Sequence, residues 1–138
     1  MLPGDYLALK LSGQATTTAT GLSEGVLWDF KNEKPAELVI NDLDLDQDLL
    51  PDLVSAVGPQ AKVSASGAVA SGLPAGITIG YRAGDQPNNA LSLNVLSPGE
   101  VAATAGTSGV VYGVTNRLVF DPKQRVNSFA HVNHTAEN

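Results

Sequence analysis

The stretch Tyr81–Val114, YRAGDQPNNALSLNVLSPGEVAATAGTSGVVYGV, decides how this chain is read. It opens on the end of a β-branched run, ITIGYRAG (Ile77–Gly84), whose content marks a strand. NNALSLNVL (Asn88–Leu96) then places Ala90, Leu91 and Val95 on the inner side of a helix. Pro87 stands where the start of a helix tolerates proline, because the missing N–H has no intrahelical partner there. EVAATA and VVYGVT flank Gly106-Thr107-Ser108-Gly109, the pattern of a tight β-hairpin.

Working upstream, Pro3 to Leu11 predicts a helix with Leu2, Tyr6, Leu9 and Lys10 near one face and Gly13 as its stop. GQATTTATGLSEG (Gly13–Gly25) is small and polar and reads as a loop excursion outside the core. VLWDF reads as a short strand or a loop anchor weighted by Trp28 and Phe30. Lys34 to Leu45 predicts a helix with Pro35 in its first turn and Leu38, Val39 and Leu43 along one stripe. DQDLLPDLVSAVG continues as a turn and a short apolar segment. A short strand follows, then a small-residue helix from about Ser66 to Ser71, stopped by Gly72 and Pro74. Downstream, Leu118 to Phe120 reads as one more strand before a polar, fraying end. No internal repeat is present. Helices and strands alternate, which places the chain in the α/β class. Its strands are few for its helices, as in a piece of a larger sheet.

Composition narrows the function. The 138 residues are 43% hydrophobic, enough for a globular core. Aromatics are only 5%, so the core is built from Ala, Val, Leu and Ile, and an aromatic binding face is disfavoured. The net charge is −6 and no basic run occurs, which excludes a phosphate-backbone footprint; nucleic acid is not an expected partner. The absence of cysteine removes disulfide and thiol chemistry. MLPGDYLALKLSG lacks the basic and apolar regions of a signal peptide, and no apolar run has the length of a membrane span. A soluble, cytoplasmic chain without a membrane partner is the expectation.

Two features can carry chemistry. Asp85 follows a strand and Gly84 and precedes a helix; in open α/β sheets ligands bind beyond the carboxyl ends of strands. Asp is also a favoured N-cap, so the position alone has a purely structural explanation. Gly106-Thr107-Ser108-Gly109 joins glycines that let a ligand approach the backbone to N–H groups and hydroxyls that can hold an anion. The same residues fill ordinary hairpin turns. Together, an acid and an anion-binding turn are what phosphoryl transfer needs: a proton acceptor for an attacking hydroxyl, and donors for nucleotide phosphates. No G-x-x-x-x-G-K-[ST] loop and no kinase-type glycine-rich loop is present.

Three linked motifs then resemble the FGGY family of carbohydrate kinases. LPGDYLALKLSG is similar to that family's Leu-Pro-x-Asp-Tyr helix, GLPAGITIGYRAGDQPNNA to its Gly-Leu-Pro-x-Gly, strand and Gly-Asp-x-x-x-Ala segment, and PGEVAATAGTSGVVYGV to its hairpin with Gly-Thr-Ser-Gly. Order and spacing agree along nearly the whole chain. ATGLSEGVLWDF is similar to a Ser-Asp-x-Ser/Ala-Gly stretch, with Glu24 where aspartate is commoner, and Glu24 receives no role.

The resemblance implies an α/β piece of a ribonuclease H-like, actin/hexokinase-type ATPase fold. Residues 1–96 would close the first, sugar-binding domain, and residues 97–138 would open the second, nucleotide-binding domain. It implies a kinase using ATP and Mg²⁺ on a sugar, D-xylulose or a related ketose, with another sugar or a polyol as the alternative, and with the remainder of the kinase chain as partner. Asp85 matches the catalytic base. Gln86 neighbours it at the sugar. Gly106, Thr107 and Ser108 match the phosphate-binding turn. The chain alone would be inactive, and copies would associate through apolar surface.

Other classes stay open on the residues alone. A non-enzymatic α/β binding or packing module is one; it would bind no Mg-ATP. An Asp-based hydrolase or transferase is another, and it would need a second acid or histidine at the site. His131 and His134 lack a further ligand for a metal site and read as polar residues near a chain end. The acidic run Asn41–Asp52 lacks the mid-loop glycine and closing glutamate of a calcium loop and reads as a solvated helix end and turn. Trp28 reads as a packing anchor.

Overall fold

A computed structural model describes residues 1–134. Residues 3–12 form the first helix, α1 (Pro3–Ser12), stopped by Gly13 at φ 78°, a left-handed conformation that glycine adopts without a Cβ penalty. The elements that follow are β1 (Thr16–Thr17), α2 (Ala19–Glu24), β2 (Trp28–Asp29), β3 (Lys34–Pro35) and α3 (Glu37–Asp42). A 3₁₀ turn (Gln47–Leu49) leads to β4 (Asp52–Leu53), β5 (Val57–Lys62), α4 (Ala65–Ser71), β6 (Thr78–Tyr81) and α5 (Asp85–Ser92). The hairpin β7 (Val101–Ala105) and β8 (Gly109–Gly113) comes last. None of the helices described is long and apolar enough to cross a membrane.

The strands pair only in twos. β1 runs parallel to β4, with Thr16 opposite Asp52; β2–β3, β5–β6 and β7–β8 are antiparallel. The β5–β6 register shifts between Val57 and Ala61, the mark of a bulge. The hairpin is regular from Val101 opposite Gly113 to Ala105 opposite Gly109.

Helix α1 lies on α4 because Gly67 allows it. A Cβ on Gly67 would overlap the Leu11 carbonyl oxygen and come within 2.7 Å of its carbon. That carbonyl is already engaged, accepting from the Ser64 amide at 2.9 Å and the Ser64 hydroxyl at 3.1 Å. Ser64 also caps α4 by accepting from the Gly67 amide at 3.0 Å. Any side chain at 67 would therefore have to displace the end of α1.

Several expectations need correction. Residues 13–25 are not an excursion: Thr16, Thr17, Thr18, Thr20, Gly21, Leu22 and Ser23 are buried. The inner face of α1 carries Asp5 and Ala8, while Tyr6 is exposed with its ring 5.8 Å from Lys10 Nζ. The helix expected over 34–45 is shorter, because Lys34 and Pro35 pair with β2, and its buried residue is Ile40 while Leu38 is 83% exposed. The strand expected at 118–120 does not form, and Phe120 is exposed. The polar end does not fray as expected up to residue 132, since Ala130, His131 and Val132 pack inward; residues 135–138 lie outside the described residues.

A buried ion pair fastens α1 to the segment that ends at the site. Arg82 Nε lies 3.3 Å from Asp5 Oδ1, and both side chains are 8% exposed. Asp5 Oδ2 also accepts from the Thr17 hydroxyl at 2.8 Å, and Arg82 Nη2 donates to Thr16 Oγ1 at 2.5 Å. Burial pulls the Arg82 guanidinium below its ordinary value, and the Asp5 charge works against that shift.

Candidate functional site

The site is built around the N-terminus of α5. Gly84 occupies the N-cap with extended backbone and no side-chain cap. The capping groups come instead from α2, sixty residues earlier in the chain. Thr20 Oγ1 accepts from the Gly84 amide at 3.2 Å, and Glu24 Oε1 accepts from the Gln86 amide at 3.3 Å. Thr20 is itself fixed by a 2.7 Å bond to the Thr18 hydroxyl, and Thr18 caps α2 through the Gly21 amide at 3.1 Å. The helix therefore starts at Asp85, three residues before the start expected from the apolar pattern, and Pro87 is buried in its first turn.

Asp85 is the first helical residue and its side chain is exposed; Gln86 is half-buried. Tyr81, at the end of β6, donates to Asn88 Oδ1 at 2.7 Å and ties the strand to the helix that follows it. Arg82 sits between them, so the Asp5–Arg82 pair anchors the segment that delivers Asp85.

Glu24 is the residue that sequence reasoning left without a role. Burial first, and then the adjacent Asp85 carboxyl, hold the Glu24 carboxyl above its ordinary range, and the Gln86 amide works against them. Gly84 leaves room for it: a Cβ there would run into Glu24, reaching within 2.9 Å of Cγ. Nothing in the local sequence of residues 19–25 signals this contact, because its partners lie on α5.

Tyr112, on β8, borders the same cluster. Burial, with a smaller contribution from the Glu24 charge, pushes its hydroxyl up to about 12. The Tyr112 oxygen lies 3.2 Å from His131 Nδ1, and the rings are 5.7 Å apart. The chain reaches this point because the Ala130 amide donates to Ser23 Oγ at 3.0 Å. His131 is thus a buried residue rather than a polar one at a chain end. Burial pushes its imidazole below the ordinary value. The unfolded chain then binds the extra proton first as pH falls below about 6.5, so His131 contributes stability above that pH and loses it on acidification. Urea unfolding at pH 7.5 and pH 5 should show a loss of stability that is smaller in His131→Gln than in wild type.

The other candidates take separate places. His134 meets Trp28 and Phe30 edge-on, at 6.1 and 6.0 Å between ring centroids, and lies 4.0 Å from Glu33. Trp28 is half-buried, in keeping with an anchor. Asn41 to Asp52 is the end of α3, the 3₁₀ turn and the start of β4, mostly exposed. Among the described residues no group of three His, Asp or Glu side chains could hold a metal ion.

Gly106, Thr107 and Ser108 form the exposed turn of the β7–β8 hairpin. The Gly106 amide closes the turn on the Ser108 carbonyl at 3.1 Å. Among the described residues no hydrogen bond takes up the amides or hydroxyls of Thr107 and Ser108, and both residues are exposed. The hairpin is held to α5 by one apolar cluster, Ala90, Val95, Ala102 and Val114, with Tyr112 packed against it. The structure therefore joins Asp85 and the turn through a shared core, and no hydrogen bond among the described residues links them directly.

A model of the FGGY family of carbohydrate kinases, N-terminal domain, matches residues 1–92. The chain belongs to the FGGY family. Its relatives include the xylulose kinase of Streptomyces rubiginosus, 35% identical over 131 residues, a match covering 94% of this chain and 26% of the relative. The xylulose kinase of Klebsiella pneumoniae is 26% identical over 132 residues, covering 95% of this chain and 27% of that protein. The chain thus spans about a quarter of the length of these FGGY relatives. Among solved structures, a xylulose kinase from Rhodospirillum rubrum superposes with a TM-score of 0.84 at 22% identity, over 94% of this chain and 26% of that one. A gluconate kinase from Lactobacillus acidophilus superposes with a TM-score of 0.78 at 18% identity, over 86% and 24%. The mixed α/β arrangement described above is that of the matching stretch of the actin/hexokinase-type ATPase fold of FGGY kinases.

Proposed function

We propose that residues 1–138 serve as one stretch of an ATP-dependent sugar kinase that converts D-xylulose to D-xylulose 5-phosphate. The observation that carries this reading is an exposed carboxylate, Asp85, at the first turn of α5 in a chain of the FGGY family. The choice of sugar is supported by the xylulose kinases among its relatives. Fold likeness alone does not choose it, because a gluconate kinase superposes as well. In this reading residues 1–96 complete the sugar-binding domain and residues 97–138 open the nucleotide-binding domain.

The chemistry follows from the residues. Asp85 accepts the proton of a primary sugar hydroxyl as its oxygen attacks the γ-phosphorus of ATP in line; the bond from that phosphorus to the β-phosphate bridging oxygen breaks, and ADP leaves. Gln86, next to Asp85 and half-buried, contacts the sugar. Gly106, Thr107 and Ser108 hold nucleotide phosphates, and the exposed amides and hydroxyls of Thr107 and Ser108, which make no hydrogen bond among the described residues, fit that task. Mg²⁺ bound with the nucleotide would offset the negative charge of the phosphates. This stretch offers no three-ligand cluster among the described residues, so the phosphates and groups elsewhere in the kinase would hold the ion.

Exposed apolar side chains fit the same picture. Val69 is 89% exposed and Val111 79%, on faces that the remainder of the kinase would cover. Residues 1–138 alone would lack most of the sugar and adenine contacts and would be inactive. A cytoplasmic enzyme is the matching location. ADP release by the protein as its gene encodes it, measured against ketoses, polyols and sugar acids, tests the reading and identifies the sugar. No release on any of them would favour a packing module.

A further inference from the structure

We propose that Glu24 is a positioning residue for Asp85: it holds the first turn of α5 by its backbone, and its carboxyl pairs with that of Asp85. This rests on the assignment of Asp85 as the base of the proposed kinase.

Three contacts carry it. The Glu24 carboxylate accepts from the Gln86 amide, the second residue of α5, so it fixes the backbone from which the Asp85 side chain projects. The neighbouring amide, Gly84, is held by Thr20 from the same helix α2, so one element supplies both bonds at this helix start. Gly84 has no side chain, and the space a Cβ would need is filled by Glu24. A glycine here thus admits a carboxylate to the helix N-terminus, where its charge is favoured.

The pairing follows from proximity: Glu24 reaches the Gln86 amide and fills the space beside Gly84, which puts its carboxyl next to Asp85 between them. After burial, the Asp85 carboxyl helps to hold that of Glu24 above its ordinary range. Glu24 is the more enclosed of the two, half-buried where Asp85 is exposed. On acidification Glu24, held above its ordinary range, takes up its proton earlier than an exposed glutamate would. The titratable groups that face Glu24 are Asp85 from α5 and Tyr112 from β8, with His131 behind Tyr112. No cation forms an ion pair with Glu24 among the described residues. With the charge on Glu24 removed, its acceptor bond to Gln86 weakens and the Asp85 carboxyl loses its fixed direction.

The test is Glu24→Gln in the protein as its gene encodes it. Glutamine keeps the shape and an acceptor oxygen, so the fold should survive, but it mimics the protonated state at every pH. The expected result is a fall in kcat of about 10- to 100-fold, the scale of a misplaced catalytic group. KM for ATP should be unchanged, and the wild-type decline of kcat toward acid pH should be shifted, since Asp85 must still be ionised to act as the base. Wild-type kcat with an unchanged pH profile would overturn the proposal while leaving Asp85 as the base. Side-chain carboxyl ¹³C titration provides a readout independent of turnover. Glu24 should titrate at lower pH in Asp85→Asn than in wild type; identical titrations would overturn the pairing. Absence of sugar turnover in wild type would overturn the kinase reading, and with it the positioning role of Glu24 in catalysis by Asp85, while the titration still decides whether the pair exists.

Discussion

Asp85→Asn should reduce sugar phosphorylation by about 10³-fold, within the range that general-base catalysis contributes, while ATP affinity stays close to wild type. Asparagine keeps the size of the side chain and can still accept a hydrogen bond from a sugar hydroxyl. It cannot take the proton that the attacking oxygen must lose. Because Asp85 is exposed at the start of α5 and makes no contact with the hairpin turn through hydrogen bonds, the loss should fall on kcat and not on nucleotide binding. Steady-state kinetics with ATP varied at saturating sugar separates these terms. Turnover within a few-fold of wild type would remove Asp85 from the chemistry and leave it as a helix-start residue.

Arg82→Met should destabilise the protein by about 3–5 kcal/mol, the usual cost of stranding one partner of a buried ion pair. The substitution keeps much of the length and apolar stem of arginine but leaves Asp5 as a buried carboxylate with only the Thr17 hydroxyl bond. Thr16 loses its bond to Nη2 at the same time. Replacing both partners, Asp5→Leu with Arg82→Met, should recover a large part of the loss, because two apolar side chains need no charge compensation. Urea unfolding of wild type, the two single variants and the double variant measures the coupling. Additive losses would mean that the pair is not a unit. Activity should follow stability here, since Arg82 is three residues from Asp85 and anchors the strand end that carries it.

The parts of the fold legible in the sequence are those governed by local rules. Gly13 and Gly72 stop helices by adopting left-handed backbone, at φ 78° and 77°, and both stops are read directly from sequence. The hairpin over Gly106–Gly109 follows from turn chemistry alone. Ala90 lies inside, as its helical spacing requires; Val95 is buried as well, but beyond the end of α5 at Ser92, so the helix expected to run to Leu96 is shorter and Asn94 turns the chain at φ 57°. The failures have a common cause. Thr16 to Ser23 looks like a loop because burial there rests on hydroxyl bonds, Thr17 to Asp5 and Thr20 to Thr18 and Gly84, and not on an apolar period. The strand expected over 118–120 has β-branched and aromatic content but no partner strand within this stretch. Asp85 and the hairpin turn could be singled out because their residue types carry their own chemistry. Glu24 could not, because its role is created by contacts sixty residues away.

In the proposed function this chain brings Asp85 to a sugar hydroxyl in an ATP-dependent kinase. The most direct measurement is ADP formation by the protein as its gene encodes it, with Mg-ATP and D-xylulose, beside Asp85→Asn. ADP release that depends on D-xylulose and yields the 5-phosphate is the expected result, nearly abolished in the variant. A well-folded protein that releases no ADP with D-xylulose or any other sugar or polyol, or one whose turnover survives Asp85→Asn, would contradict it.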